Sequence, residues 1–296
     1  MKILYGTIEK NIDVTEICYN RLINNNIITI PSADSIRASY FTDPHYGVRK
    51  KIFIINEKTN LSEFDIKTTV KINTITEEIT TDISLNEKLE NIQNKLKIKY
   101  GTFTEELPEQ KIAVRYLTGD EKVLEIGSNI GRNSLIIAYI LGQKNNNNFV
   151  TMECDTNIAN KLQENRDINK FNFHIENSAL SKRKLIQKGW NTIPSETVLE
   201  GYKLVNTISV KELNNKYNIV FDTLVLDCEG AFYYILMDMP EILNNINLIL
   251  MENDYHNIQH YNYVNNKLTE NNFKLDYSQC GGWGPCRNNF FEVWKK

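Results

Sequence analysis

An α/β domain built around a mostly parallel sheet, preceded by a small β-rich domain, is the fold class that the sequence predicts. Three observations predict it. Beyond Asp120 short apolar runs alternate with segments of helical periodicity, and before Ser84 short β-branched runs recur between polar turns. Between the two lies SLNEKLENIQNKLKIKY, where the pattern changes to that of an amphipathic helix.

The bulk numbers bound the rest. A chain of 296 residues accommodates one large or two modest domains, and 41% hydrophobic with 24% charged residues is the composition of a folded globular protein. A net charge of −3 argues against a dedicated nucleic-acid binder, whose domain is usually basic. The cysteines, Cys18, Cys154, Cys228, Cys280 and Cys286, are odd in number, irregular in spacing and without a C-x-x-C pair. That favours a reducing compartment over a secreted disulfide framework. No apolar stretch approaches ~18 residues, and MKILYGTIEKNIDVTE lacks the apolar core of a signal peptide. The expectation is a cytoplasmic protein with no membrane span. Heavy use of Asn, Ile and Lys, whose codons are AT-rich, suits an AT-rich genome such as that of a large DNA virus, in which case the compartment is the host cytoplasm.

In residues 1–82 the apolar runs predict strands at 2–5, 27–30, 51–55, 64–72 and 74–79. One helix interrupts them, capped by Asp13 and carrying Val14, Ile17, Leu22 and Ile23 as apolar positions. YFTDPHYGVRK, with Pro44 and Gly47, reads as a loop. Residues 83–103 predict a linking helix with Leu85, Leu89, Ile92 and Leu96 on one face and a Ser84/Glu87 capping box at its start. In 104–296 a helix runs from Pro108 to Leu117 and stops at Gly119. Strands follow at 123–126, 149–153, 172–175, 223–226 and 248–251, with helices at 133–141 and 157–167. Ligands of such sheets bind at the carboxyl ends of the strands, so function is sought in the residues just after each one.

Five segments carry chemistry. VLEIGSNIGRNS (123–134) is a buried strand, a turn with Gly127 and Gly131, and a helix start. Glycines admit close backbone approach, Ser128 and Asn129 lie between them, and Asn129 tolerates a left-handed φ. The middle glycine of G-x-G-x-x-G is absent, which disfavours a dinucleotide enzyme. Glu125 is awkward beside a pyrophosphate but welcome beside a cationic amino group such as that of a methionine moiety. Glu153 ends the second strand, where a carboxylate accepts hydrogen bonds from ribose hydroxyls; Asp155 reads equally well as a helix cap. Asn177, Ser178 and Ala179 follow the third strand and are small and polar enough to contact an adenine edge. TLVLDCEGAFYYIL places Asp227 and Glu229 just beyond a strand, with Gly230 allowing a sharp turn. LILMENDYHN places Glu252, Asn253, Asp254 and His256 beyond the next. If those two strands are neighbours, Asp227, Glu229, Glu252 and His256 converge on one edge of the sheet.

In this order the motifs resemble the FkbM family of S-adenosylmethionine-dependent O-methyltransferases. VLEIGSNIG is similar to the family's glycine loop, MECD to its ribose acid, ENSALS to its adenine loop, and LDCEGAFYYIL to its D-x-E-G signature. LMENDYH, LTENNFKL and NNFFEVWKK are similar to its later strands, so the resemblance covers roughly 104–296. Cys154 stands where a proline is common, and GGWGPCRNN (281–289) is an elaboration outside the general pattern.

The resemblance implies a Rossmann-like class I methyltransferase domain, S-adenosylmethionine as cofactor, and a hydroxyl acceptor on a sugar or glycan. Carried over to this chain, the cofactor-binding set is Glu125, Gly127, Ser128, Asn129, Gly131, Glu153, Asn177, Ser178, Ala179 and Asp227. The catalytic set is Asp227, Glu229 and His256. No metal is expected; a cation, if one binds, falls to Asp227, Glu252 and Asp254, hard oxygen ligands suited to magnesium. Trp190, Tyr255 and Trp283 are aromatics that could stack on a sugar face.

Three other functions remain open at this stage. They are RNA methylation, for which the only basic run in 104–296 is SKRK, a non-catalytic glycan-binding or assembly protein, and an NAD-dependent oxidoreductase. DVTEICYNRL and FTDPHYGVRKKIFI resemble modules attached to glycan-modifying enzymes; a β domain that covers the sheet or makes a homodimer contact serves as well.

Overall fold

The computed structural model describes residues 1–56 and 61–296. The chain forms two compact units, Met1–Glu90 and Asn91–Lys296.

Among the described residues the first unit holds two four-stranded antiparallel sheets. One orders Asn11–Asp13, Lys2–Gly6, Lys51–Ile55 and Ser62–Phe64; the other orders Ile23–Asn24, Ile27–Ile30, Thr68–Asn73 and Ile79–Ile83. Alternate side chains, Ile28 and Ile30, Ile52 and Ile54, Val70 and Ile72, enter one core with Tyr5 and Phe41, as the two-residue period of a strand dictates. The sequence predicts one strand over 64–72, but the chain turns at Asp65, whose carboxylate accepts from the Lys67 amide at 2.8 Å and the Thr68 hydroxyl at 3.0 Å. Residues 74–79 likewise turn rather than extend, because the Asn73 side chain accepts from the Ile75 and Thr76 amides. Both are Asx turns. Helix Thr15–Arg21 starts after Val14, with Asp13 one position further out. A second helix, Asp34–Phe41, enters the segment read as loop, and buried Arg37 holds it by donating to the carbonyls of Pro31 and Thr68.

The predicted linking helix is shorter, Leu85–Gln93, with Ser84 Oγ accepting from the Glu87 amide. Leu96 lies outside it. Residues 97–100 instead form a strap, held where the Asn169 and Asn165 side chains accept from the amides of Lys97, Lys99 and Tyr100.

In the second unit α1 is Leu107–Tyr116, followed by β1 Val123–Ile126, α2 Arg132–Gly142, β2 Phe149–Met152, α3 Thr156–Ile168 and β3 His174–Glu176. Then come α4 Val210–Tyr217, β4 Thr223–Leu226, α5 Ala231–Asp238, β5 Leu248–Glu252, α6 Ile258–Glu270, β6 Lys274–Gln279 and β7 Phe291–Lys295. They build a seven-stranded sheet in the order β3-β2-β1-β4-β5-β7-β6. Strands β1 to β5 are parallel, and β7 runs antiparallel between β5 and β6. The dinucleotide-binding order is 3-2-1-4-5-6 without that insertion. This is therefore a Rossmann-like α/β fold around a mostly parallel sheet, as the sequence predicts.

Leu124, Ile126, Val150, Met152, Leu224 and Leu226 point to one face, where Phe232, Leu236, Val264 and Leu268 of α5 and α6 cover them. The topology reverses between β1 and β4, so their carboxyl ends form the crevice in which ligands of open α/β sheets bind. Between β3 and α4 the chain adds a three-stranded antiparallel sheet (Leu185–Lys188, Asn191–Pro194 and Lys203–Val205) that the sequence reading missed. No helix among the described residues is long and apolar enough to cross a membrane.

Candidate active site

The glycine loop is built by close approach. Gly127 has φ +88°, and a Cβ there would lie 1.6 Å from the Asp227 carbonyl oxygen. The loop is thus pressed onto the exit of β4, and Gly127 is required by the fold before any ligand arrives. Gly131, at φ +91°, would put a Cβ 2.2 Å from Leu162 of α3. Asn129 takes the left-handed φ of 50° expected of it. Its amide donates to Glu153 Oε2 at 3.0 Å, while the Asp155 amide donates to Glu153 Oε1 at 2.8 Å. Burial pushes the Glu153 carboxyl up to about 7 against those two bonds. A carboxylate has about four lone-pair sites, so two such bonds leave acceptor capacity for a ligand hydroxyl.

Other predicted contacts are already engaged within the chain. Ser128 Oγ donates to the Met152 carbonyl at 3.2 Å. Asn177 bridges the Thr156 hydroxyl and the Glu153 carbonyl, and Ser178 Oγ donates to Glu176 at 3.0 Å. Ala179 lies in a two-residue strand paired with Thr207. A ligand therefore meets the backbone and rim of this segment. Asp155 caps α3, accepting from the amides of Asn157 and Ile158, and pairs with Lys203 at 2.5 Å.

A narrow pocket opens at the switch point, with room for about one water (about 20 Å³). Glu125, Val225 and Leu250 form one row across β1, β4 and β5 beneath it. Glu106, Glu109 and Ile112, at and just inside the start of α1, close it from above, and Asp227 and Glu252 stand at its edge. Glu125 is 2% exposed. It accepts from the hydroxyls of Ser134 and Thr151, the latter at 2.6 Å, and from the Asn133 amide at 3.4 Å. Burial nevertheless pushes its carboxyl up to about 7. Asn133 Oδ1, buried and lining the same pocket, accepts no hydrogen bond. An unmet acceptor beside a carboxylate suits a cationic N–H donor.

Strands β4 and β5 are neighbours, so of the predicted four Asp227 and Glu252 meet, joined by Asp254. Asp227, Glu252 and Asp254 each place an oxygen within 4.8 Å of the others. Burial raises Asp227 well above the carboxylate range, and the charges of Glu106 and Asp254 add to it. Burial also raises Glu252, reinforced by hydrogen bonds to Glu109 and Asp227. The bond between the two acids raises Glu252 and lowers Asp227, which makes Asp227 the better acceptor of the pair. Asp254 accepts from the Gly230 amide at 2.7 Å, leaves its second oxygen without a partner, and is pushed by burial up to about 7.

Glu229 and His256 lie outside that group of three and are exposed. Glu229 has φ 52°; partial burial raises its carboxyl, and the His256 charge opposes that. The His256 ring packs on Trp283 with centroids 4.4 Å apart. Of the three aromatics singled out, Trp190 and Trp283 are exposed but Tyr255 is not: at 2% exposure it belongs to the core under Gly230.

The sequence reading missed Glu106, Glu109, Arg132 and Asn133. Glu106 is half-buried at a left-handed φ of 55° and pairs with Arg132 at 2.6 Å. The run TEELPEQ gave the signal, but acids at a helix start are expected anyway because they complement its dipole.

No family model matches the chain, and no curated protein sequence does. Among solved structures the chain is similar to a putative O-methyltransferase from Klebsiella pneumoniae, at 14% identity and a TM-score of 0.41 over 71% of this chain and 88% of that one. It is similar to the O-methyltransferase from Bacillus cereus in complex with SAH, at 13% identity and a TM-score of 0.41 over 72% and 90%. A third is the ribosomal protein L11 methylase from Lactobacillus delbrueckii subsp. bulgaricus, at 12% and 0.41 over 67% and 81%. The fold assignment itself rests on the strand order of this chain, with its antiparallel β7.

Proposed function

We propose that the second unit is an S-adenosylmethionine-dependent O-methyltransferase of the FkbM type, acting on a hydroxyl of a sugar or glycan. The observation that carries this reading is the convergence at the β1/β4 switch point. There the glycine loop, the ribose-type acid Glu153 and an acid-lined pocket meet. The pocket takes a group the size of an ammonium or a methyl, so a nucleoside would lie along the open rim from Gly127 to Glu153. Glu153 would accept from ribose hydroxyls, and Glu125 with Asn133 Oδ1 would receive the α-ammonium. Bound there, the cofactor supplies a methyl group on a positively charged sulfur, open to in-line attack by an oxygen nucleophile.

The residues of this chain supply positioning and a proton acceptor. Asp227 takes the acceptor hydroxyl's proton as the new C–O bond forms. Glu252, hydrogen-bonded to Asp227, holds it in place. His256 is the alternative base, since an imidazole nitrogen can accept a proton.

Isothermal titration with S-adenosylmethionine, and separately with NAD, tests the cofactor. A methyl-transfer assay on free and glycan-linked monosaccharides, read by mass shift, tests the acceptor. Binding of S-adenosylmethionine without NAD binding, and a gain of one methyl on a carbohydrate, is the expected outcome. Binding of neither compound would refute the reading.

A further inference from the structure

GGWGPCRNN, the segment outside the family pattern, has a definite construction. Its base is anchored. Cys286 and Phe290 are buried, the Gly281 amide donates to the Arg287 carbonyl at 2.9 Å, and Asn253 donates to the Asn289 carbonyl at 2.6 Å. Asn253 lies between Glu252 and Asp254, so the loop is tied to the acid cluster's own strand end. Its tip needs glycine. A Cβ on Gly281 would meet the Phe291 ring at 2.4 Å and one on Gly282 the Phe290 ring at 2.2 Å, while Gly282 and Gly284 have φ +49° and +74°.

Those glycines let the backbone lie flat over two buried phenylalanines and leave one large side chain displayed between them. Trp283 is 41% exposed, although its ring already rests on His256. An exposed indole forgoes burial that a tucked-in ring would gain. The loop reaches the end of β5: His256 packs on the Trp283 ring, and Gly284 lies beside the Tyr255 carbonyl. The residue before Tyr255 is Asp254, which accepts from the Gly230 amide and belongs to the acid cluster. An aromatic face beside carboxylates fits a neutral ring with apolar C–H groups on one face and hydroxyl donors at its edge.

We infer that the 281–289 loop is a substrate platform, on which Trp283, backed by His256, stacks the apolar face of a neutral hexose and presents its hydroxyls to the carboxylates. This rests on the methyltransferase reading and names the specificity-determining residue within it. Trp283 and His256 are positioning residues in this scheme.

Saturation-transfer NMR tests it on the whole chain, loaded with S-adenosylhomocysteine so that no turnover occurs. The probes are the methyl glycosides of glucose, galactose, mannose, fucose and rhamnose. At least one should receive saturation through the ring protons of a single face. Trp283→Ala should abolish that signal, Trp283→Phe should restore most of it, and His256→Ala should weaken it. S-adenosylhomocysteine affinity, measured by calorimetry, should stay within twofold in all three variants, which also reports that they fold. Equal saturation in wild type and Trp283→Ala overturns the platform, as does the absence of saturation from every glycoside in wild type. Failure of the wild type to bind S-adenosylhomocysteine would instead overturn the cofactor reading beneath it.

Discussion

Asp227 is a carboxylate held where carboxylates are costly, among Glu106, Asp254 and Glu252 at the end of a buried strand. Its replacement should separate activity from stability. Asp227→Asn should lower kcat by ~100-fold or more, the usual worth of a positioned base, with cofactor affinity retained. The same change should raise Tm at pH 8. The sign follows from linkage. Carboxyls raised by burial favour the folded state below their unfolded pKa, and that contribution is lost as pH rises through the folded value. With Glu125 and Asp254 folded near 7, wild-type stability should fall between about pH 4.5 and 7.5, and the variant's more gently. Chelator should leave wild-type turnover unchanged. Inactivation by chelator would reassign Asp227, Glu252 and Asp254 to a divalent cation. Glu153 gives a second test at this scale. Ribose hydroxyls donate more strongly to its ionised form, and burial holds it near 7 in the free protein. Affinity for S-adenosylmethionine should therefore fall about tenfold from pH 8 to pH 6, with proton uptake by buffer on binding. Glu153→Gln should bind weakly and without that slope; a wild-type affinity flat across the range counts against a ribose contact.

At the scale of elements, the glycine loop is first a packing device. Gly127 faces the backbone carbonyl of Asp227, which cannot yield, whereas Gly131 faces the end of a leucine side chain, which can. Gly127→Ala should thus cost about 3–5 kcal/mol, combining strain at positive φ with overpacking, and Gly131→Ala about 1–3. Urea denaturation of the two variants measures the difference; equal losses would mean that the β4 exit adjusts. Legibility follows the same physics. β1 and β4 were readable to the residue because a short apolar run bounded by a glycine turn has one interpretation, and their acids were readable because parallel strands end together. Glu106 and Glu109 were hidden by a sufficient local explanation, helix-start acids, since only the tertiary position of α1 brings them over Asp227. Trp283 was singled out with Tyr255 as an aromatic that could stack on a sugar, and only the fold separates the exposed one from the buried one, because exposure is a property of the folded chain. The turns at Asp65 and Asn73 were missed where side chain–backbone bonds, rather than hydrophobic period, set the path.

At the scale of the molecule, the chain reads as two separately cored units, and we propose that they are also separable in function. The first has its own core of Ile3, Tyr5, Ile28, Ile54 and Val70, among others, while every residue assigned above to cofactor or acceptor lies beyond Glu90. The place to divide them is set by helix Leu85–Gln93, which crosses the boundary, and by the strap at 97–100, which belongs to the second unit. Asn165 of α3 fixes that strap and also donates to the Ile130 carbonyl in the glycine loop at 2.9 Å. A chain beginning at Ser84 keeps both and should bind S-adenosylmethionine within about threefold of the whole protein, a change of under ~1 kcal/mol. A chain beginning at Phe103 loses the strap, frees the buried Asn165 amide and exposes the loop. Its affinity should drop at least tenfold, with a Tm lowered by a few degrees, as about 1–3 kcal/mol for unpaired buried groups implies. Calorimetry and thermal unfolding of the two truncations decide between outcomes. Full affinity in the Ser84 chain and loss in the Phe103 chain assign residues 1–83 a role outside the cofactor site, in acceptor recognition or self-association. Loss of binding in a folded Ser84 chain would mean that the first unit helps to form the pocket after all.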